Sequence, residues 1–160
     1  MTKTTWIDRM LTSKPELGPL LLRVPVGLTF AAHGAQKLFG WFGGYGLTGT
    51  GEFFASIGLN PGVAMALLAG SAEFFGGLAL ALGLLVRPSA ALLAFTMLVG
   101  IFSVHWSKGF FAAAGGYEYA MILMFASLAL LASGAGRLGL DNRLAAGLRS
   151  RVRTGATVSA

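Results

Sequence analysis

Four long apolar segments run along the chain, separated by short stretches rich in glycine, proline and polar residues. They cover about residues 17–39, 61–86, 88–106 and 117–133, and the last is the shortest. At about 1.5 Å of rise per residue, such segments are long enough to cross a bilayer core of about 30 Å as helices. Because a helix satisfies its own backbone hydrogen bonds in lipid, the pattern predicts an all-α integral membrane protein, a four-transmembrane-helix bundle.

The stretches between the segments predict how the helices are joined. Arg87-Pro88 is expected to split the second and third helices, since proline resists a helix interior and arginine belongs at an interface. Residues 40–60 form an outer Gly/aromatic-rich loop, and aromatic residues at this density favour the membrane interface. Within it, residues 50–57 are predicted to form a short interfacial helix. Two roles stay open for the loop: an interfacial tether, or a lid over the outer mouth of the bundle.

Basic residues predict the orientation of the bundle. With four spans, both termini lie on one side, and that side collects most of the basic residues against Lys37 and Lys108 on the other. The residues on the terminal side are Lys3, Arg9, Lys14, Arg87, Arg137, Arg143, Arg149, Arg151 and Arg153. Because cytoplasmic loops carry an excess of lysine and arginine, both termini are predicted to be cytoplasmic.

The chain is thereby divided into three parts. Residues 1–16 form a cytoplasmic N-terminal segment, residues 17–134 the transmembrane domain, and residues 135–160 a basic cytoplasmic tail. In the tail, Asp141 is a candidate N-cap for a C-terminal amphipathic surface helix that carries leucines at four-residue spacing. The first span is expected to be retained rather than cleaved as a signal peptide, because its apolar run is too long for one.

The composition agrees with a membrane protein and excludes several other classes. Of the 160 residues, 55% are hydrophobic and 11% charged, whereas soluble domains have roughly 45–50% and about 25%. The absence of cysteine excludes disulfide scaffolds, thiol catalysis and dithiol redox exchange. We interpret the net charge of +6 as attraction to the anionic lipid of a bilayer and not to nucleic acid, because the chain is apolar and lacks a basic recognition helix.

Ionisable residues lie in or at the edges of the apolar segments, where charge is costly and usually faces a partner inside the bundle. They are Arg23, His33, Lys37, Glu73, His105 and Glu118. Glu73 is expected near the midplane, pointing inward between small residues, where it needs a positive or polar partner. Arg23 is one candidate partner, and His33 or Lys37 is another. Helix rise places His33 and His105 at the same depth, about 25 Å from the cytoplasmic side.

Two interpretations of these residues stay open. A buried Arg–Glu or His–Glu pair can simply fix the register of the helices. The same groups can instead form a site for a ligand or for proton handling. A metal site is disfavoured, because the chain has no closely spaced ligand pair such as H-E-x-x-H, and no phosphate-binding loop or G-x-S-x-G motif is present.

An ordered set of short motifs extends along about residues 17–141. The motifs are Arg23, Gly27-Leu28-Thr29-Phe30, His33-Gly34, Lys37-Leu38-Phe39-Gly40, Gly51-Glu52-Phe53-Phe54, Ile57-Gly58, Glu73, Gly76-Gly77, Gly83-Leu84-Leu85, Arg87, Gly109-Phe110-Phe111, Gly116-Tyr117-Glu118-Tyr119 and Leu140-Asp141. In this ordered set the chain resembles the DoxX family of small four-helix bacterial membrane proteins. The resemblance implies a multi-pass protein of the bacterial cytoplasmic (inner) membrane.

The resemblance also implies a redox-associated role. Some family members are named for a subunit of thiosulfate:quinone oxidoreductase, and others join membrane redox-defence complexes. Because this chain has no cysteine, a redox step would need a bound quinone or the cofactor of a redox enzyme partner, and no covalent cofactor is expected. The sequence contains no complete catalytic constellation, so it leaves open whether the chain is itself an enzyme.

The first functional hypothesis is a pocket for a quinone, or a similar small polar headgroup, in the outer half of the bundle. Glu73 would be the catalytic residue and would handle a proton. The ligand-binding residues would be Arg23, His33, Lys37, His105 and Glu118, with Trp41 and Trp106 as apolar or stacking surface. The alternatives are a non-catalytic membrane assembly partner of an oxidoreductase complex and a carrier of small solutes or protons. Glycine-rich helix faces also leave a homo-oligomer open.

Overall fold

The computed structural model describes residues 17–136 and 138–146, and every regular element in that part of the chain is helical. The helices are α1 (Gly18–Phe39), α2 (Gly46–Ser56), α3 (Gly62–Leu82), α4 (Val86–Gly100), α5 (Glu118–Ser133) and α6 (residues 140–146). Helix α4 continues through a π-helical turn, Ile101–His105, and a 3₁₀ turn, Trp106–Lys108. The predicted all-α class is confirmed for the described residues.

Two of the four predicted spans are long and apolar enough to cross a membrane. They are Gly62–Leu82 with 21 residues and Val86–Lys108 with 23 residues. Helix α1 has 22 residues but includes the polar residues Arg23, His33 and Lys37, and α5 has only 16 residues. Many large apolar side chains on these helices face outward, among them Phe75, Phe95 and Phe125, each close to 60% exposed. An apolar outer surface of this extent suits contact with lipid.

Helices α1 and α3 pack with their backbones in contact. A Cβ atom on Gly27 of α1 would lie 2.5 Å from the carbonyl oxygen of Gly77, and one on Gly77 would lie 2.6 Å from the carbonyl oxygen of Gly27. Any larger side chain at either position would force the two helices apart. Small residues at a helix crossing allow this approach in membranes, where apolar packing against lipid gives no drive to associate.

The core lies between α1, α3, α4 and α5. Phe30, Leu80, Leu93 and Leu130 come from these four helices and are fully buried. Apolar side chains at this junction contribute roughly 1.5–3 kcal/mol each in water. In lipid their contribution comes from close packing, because lipid tails are themselves apolar.

The connection between α3 and α4 differs from the sequence-based prediction. Helix α3 ends at Leu82 and is followed by Gly83 in the left-handed conformation, with a φ of 73°, and Leu85 also has a positive φ of 48°. Arg87-Pro88 does not separate the helices but lies in the first turn of α4. Proline is tolerated there because the first N–H groups of a helix have no intrahelical partner.

The C-terminal residues close this end of the bundle. The carboxylate of Asp141 accepts hydrogen bonds from the backbone N–H groups of Leu85 (2.7 Å) and Val86 (2.9 Å). Its own N–H donates to the carbonyl oxygen of Gly83 at 2.9 Å. Asp141 therefore caps α4. The sequence had predicted that it caps the tail helix, but that helix begins one residue earlier.

Residues 40–60 fold against the other end of the bundle. A 3₁₀ turn, Trp41–Gly43, leads into α2, which begins four residues before the predicted helix and ends one residue earlier. Thr50 and Phe54 of α2 are buried, and the Thr50 hydroxyl donates to the carbonyl oxygen of Lys37 (3.4 Å). The segment is thus a packed part of the bundle.

Some sequence-based predictions fall on residues outside the described part of the chain. They concern the N-terminal segment 1–16, Arg137 and the tail beyond residue 146, which includes Arg149, Arg151 and Arg153. The predicted surface helix of the tail is described only as far as α6.

Asp141 should be more important to stability than its position in the tail suggests. Replacing Asp141 by Ala leaves the N–H groups of Leu85 and Val86 without their acceptors and should destabilise the protein by about 1–2 kcal/mol. Arg143→Ala, at an exposed position on the same helix, is the control. Thermal unfolding of both variants in detergent measures the effect, and equal melting temperatures would contradict the capping role.

Candidate functional site

The one ion pair among the described residues joins Lys37 of α1 to Glu73 of α3. The Nζ atom of Lys37 lies 2.5 Å from Oε2 of Glu73, and the two side chains are 24% and 3% exposed. The contact depends on the close packing of α1 and α3, because their backbones must lie near each other for this pair to meet. The sequence left Arg23, His33 and Lys37 as candidate partners of Glu73, and in the structure the partner is Lys37.

Beside this pair lies a cavity of about 1190 Å³. Its walls come from α1, α2, α3, α4 with its π-helical turn, and α5. One region carries the polar groups, including His33, Lys37, Glu73 and His105. From there the cavity extends along α4 to Pro88, over a wall formed mainly of apolar residues. Ligand cavities typically have this composition, with few polar groups in a mainly apolar lining.

The ring of His33 is fixed by Gln36, one turn further along α1. Nδ1 of His33 lies 3.1 Å from Oε1 of Gln36, and Nε2 of Gln36 donates to the carbonyl oxygen of Phe42 (3.2 Å). Because that carbonyl can only accept, the amide oxygen of Gln36 faces the histidine. In the neutral ring, Nδ1 of His33 therefore carries the proton and donates it.

His105 is positioned by the π-helical turn at the end of α4. Its Nδ1 lies 2.7 Å from the carbonyl oxygen of Gly115 in the loop before α5. A carbonyl oxygen can only accept, so the neutral ring of His105 also carries its proton on Nδ1. Single π-helical turns inside α-helices occur frequently at functional sites, since they re-aim the side chains beyond them.

The other residues singled out in the sequence lie away from the cavity. Arg23, 3% exposed, donates to the carbonyl oxygens of Ala81, of Leu80 (3.4 Å) and of Leu138 (3.4 Å). It thereby caps the C-terminal end of α3, where a cation is favourable, and does not reach Glu73. Its Nε atom has no partner in the described part of the chain.

The remaining three make local contacts in the loops. Oε2 of Glu118 accepts from the backbone N–H of Ala112 (2.9 Å), which fixes the loop before α5. Trp106 stacks on Tyr117 with a centroid separation of 5.3 Å, and Trp41 packs against Phe39 at 5.1 Å. None of these three lines the cavity. Their predicted role in ligand binding stays a prediction.

Several polar residues that line the cavity are absent from the set of site residues predicted from the sequence. Gln36 and Tyr119 both line it, and the Tyr119 ring lies 6.1 Å from the ring of His33. Gln36 could have been predicted from the sequence, because it lies three residues after His33 on the same helix and residues at this spacing are neighbours. Tyr119 follows Glu118 in the sequence, but its approach to His33 depends on the packing of α5, which no local pattern predicts.

The site combines one shielded charge pair with neutral hydrogen-bonding groups. The carboxylate of Glu73 contacts the ammonium of Lys37, which has N–H donors beyond the one directed at Glu73. The two histidines each keep Nε2 without a protein partner among the described residues. The arrangement can therefore donate to one ligand atom and accept from another, within an apolar wall.

The helical fold, the two helices of membrane-spanning length and the mainly apolar cavity fit a known protein family. The family model for DoxX matches residues 18–106, and the chain belongs to the DoxX family. Membership and the two apolar helices support association with a membrane.

Two curated relatives match most of the chain. It is 36% identical over 126 residues to the protein named "Putative oxidoreductase CatD" of Bacillus subtilis (strain 168), which covers 79% of this chain and 86% of that protein. It is 34% identical over 129 residues to an uncharacterized protein of Haemophilus influenzae, over 76% of this chain and 87% of that protein. No solved structure matches the chain.

The Lys37–Glu73 pair should show strong energetic coupling. Lys37→Met leaves a buried carboxylate without its partner and should cost about 3–5 kcal/mol. Glu73→Leu should cost less, because the ammonium of Lys37 is partly exposed and can reach water in the cavity. The double variant Lys37→Met/Glu73→Leu should recover most of the loss.

Unfolding of the four proteins of this cycle in detergent measures the coupling. Lys108→Met is the matched control, since Lys108 is exposed and lies outside the cavity. Additive losses in the double variant would refute the pairing.

Proposed function

We propose that this chain is a redox-associated membrane protein that binds a quinone, or a similar small polar headgroup with an apolar tail, in the cavity. The observation that carries the proposal is the Lys37–Glu73 pair at the polar end of a long apolar cavity. A relative named as an oxidoreductase supports the redox association. The described residues contain no cysteine, so the chain brings no thiol of its own.

The cavity fits the chemistry of such a ligand. Quinone oxygens need hydrogen-bond donors, and the partly exposed ammonium of Lys37 is placed to supply one. The apolar wall extends along α4 from Ser103 back to Pro88, a distance of about 22 Å at helical rise, which suits an extended hydrocarbon tail. A bound quinone would supply the redox chemistry, while the protein supplies its position and its charge environment.

Glu73 is the proposed proton-handling residue. Its carboxylate contacts the ammonium of Lys37 at the edge of the cavity, where a ligand oxygen would lie. Glu73 is only 3% exposed, so a proton would reach it through Lys37 or through the ligand. The pair also has a structural role, since each side chain compensates the charge of the other.

The proposed setting is the bacterial inner membrane, crossed by α1, α3, α4 and α5. Supporting this, the charged groups of α1 are turned inward: Arg23 is 3% exposed and Lys37 24%. Its outer face carries exposed leucines such as Leu21 and Leu28. The excess of basic residues on the side of the termini favours a cytoplasmic position for both ends. The polar end of the cavity then lies in the outer half of the bundle.

Binding of decylubiquinone, a benzoquinone with a short alkyl tail, tests the proposal. The purified protein in detergent should bind it saturably in a calorimetric titration. The Lys37→Met/Glu73→Leu protein should bind it at least tenfold more weakly, because a charge-assisted hydrogen bond contributes about 1.5–3 kcal/mol.

Lys108→Met is the control and should bind as the unaltered protein does, since Lys108 is outside the cavity. Partitioning of the probe into detergent alone is measured with empty micelles. Affinities that are the same for the unaltered protein and the double variant would refute a site at this pair.

A further inference from the structure

We infer that the cavity binds its ligand preferentially in the dihydroxy form, with two hydroxyl groups on an aromatic ring donating to His33 and His105. This inference rests on the proposed function and names the redox state that the site selects. It follows from the hydrogen bonds that fix the two histidines and not from the ion pair.

Both histidine rings are held in the same tautomer by independent contacts. Nδ1 of His33 faces the amide oxygen of Gln36 at 3.1 Å, and Nδ1 of His105 faces the carbonyl oxygen of Gly115 at 2.7 Å. Both acceptors are carbonyl-type oxygens, so each neutral ring places its proton on Nδ1. The remaining nitrogen, Nε2, is then a lone-pair acceptor in both rings.

Both rings line the same cavity. Tyr119 lines it as well, and its ring lies 6.1 Å from that of His33. His105 is the last residue of the π-helical turn Ile101–His105. The site therefore offers two acceptors where a typical carbonyl-binding pocket offers donors.

The two redox forms of a quinone differ in what they can offer to these nitrogens. A hydroxyl group donates to Nε2 and still accepts from the Lys37 ammonium. A quinone carbonyl only accepts, so it would leave both Nε2 atoms unpaired inside the cavity. A polar group that loses its partner in this way typically costs about 1–3 kcal/mol, and sites built to bond a hydroxyl discriminate strongly against analogues without one.

The other polar groups near the histidines do not reverse this preference. Lys37 and Tyr119 can donate to either redox form, and the carboxylate of Glu73 is directed at Lys37. Glu118 and Lys108 lie outside the cavity. The difference between the forms therefore rests on the two histidine acceptors.

Calorimetric titration under anaerobic conditions with decylubiquinol and decylubiquinone tests the inference. The reduced probe should bind at least tenfold more tightly, which corresponds to a positive shift of about 30 mV in the midpoint potential of the bound two-electron couple. The dimethyl ether of decylubiquinol, which has no hydroxyl proton, should bind no better than the oxidised probe.

Substitutions of the two histidines test whether they cause the preference for the reduced probe. His33→Phe and His105→Phe should each reduce the ratio of the two affinities by roughly threefold to tenfold. Lys108→Met should leave the ratio unchanged. A retained ratio in both histidine variants would overturn the assignment of the acceptors.

Gln36 is a positioning residue in this scheme and gives a second test. Gln36→Leu removes the acceptor that fixes His33 and should lower the ratio, whereas Gln36→Glu keeps an acceptor there and should preserve it. Both variants lose the bond to Phe42, so a purely structural role would affect them alike.

The outcomes separate this inference from the proposed function. Equal affinities of the unaltered protein for the reduced and oxidised probes would overturn the inference and leave quinone binding standing. If neither probe binds, both are refuted.

Discussion

The close crossing of α1 and α3 is the constraint on which the rest of the structure depends. Gly27 and Gly77 let the two backbones touch, and a Cβ atom at either position would fall within 3 Å of the facing backbone. Further along the same pair of helices, that proximity brings Lys37 to Glu73. The charged pair is therefore a consequence of where glycine occurs, as well as of the charges themselves.

The charged side chains inside the apolar bundle have different kinds of partner at its two ends. Arg23 donates to backbone carbonyl oxygens at the end of α3 and to that of Leu138, and closes the bundle there together with Asp141. Lys37 and Glu73 satisfy each other instead, and they do so beside a cavity that also holds two histidines. At the end with Arg23 and Asp141, the hydrogen-bonding groups mostly bind other parts of the protein. At the end with Lys37 and Glu73, donors and acceptors remain for a ligand. This contrast favours a functional interpretation of the second end.

The positions of the helices could be predicted from the sequence because apolar length and glycine or proline breaks are local signals. The four apolar segments correspond to α1, α3, α4 and α5, and the inward direction of Glu73 followed from the small residues around it. The break between α3 and α4 was misplaced, because Arg87-Pro88 is compatible with a first helical turn and the helix ends instead at Gly83.

Pairings between elements could not be predicted in the same way. The partner of Glu73 depends on the rotation and height of α1 against α3, which the close glycine contacts set. The role of Asp141 depends on a contact between residues more than fifty positions apart in the sequence. The tautomers of His33 and His105 depend on loop carbonyl oxygens and on a π-helical turn, and neither feature has a pattern in the sequence.

We propose that the cavity beside Lys37 and Glu73 holds a quinone-type ligand in the cell. Mass spectrometry of organic extracts from the protein, purified from its native membrane in mild detergent, tests this most directly. We expect about one isoprenoid quinone per chain in the unaltered protein and a loss of most of it in the Lys37→Met/Glu73→Leu protein. Equal trace amounts in both preparations would contradict a quinone site at this pair.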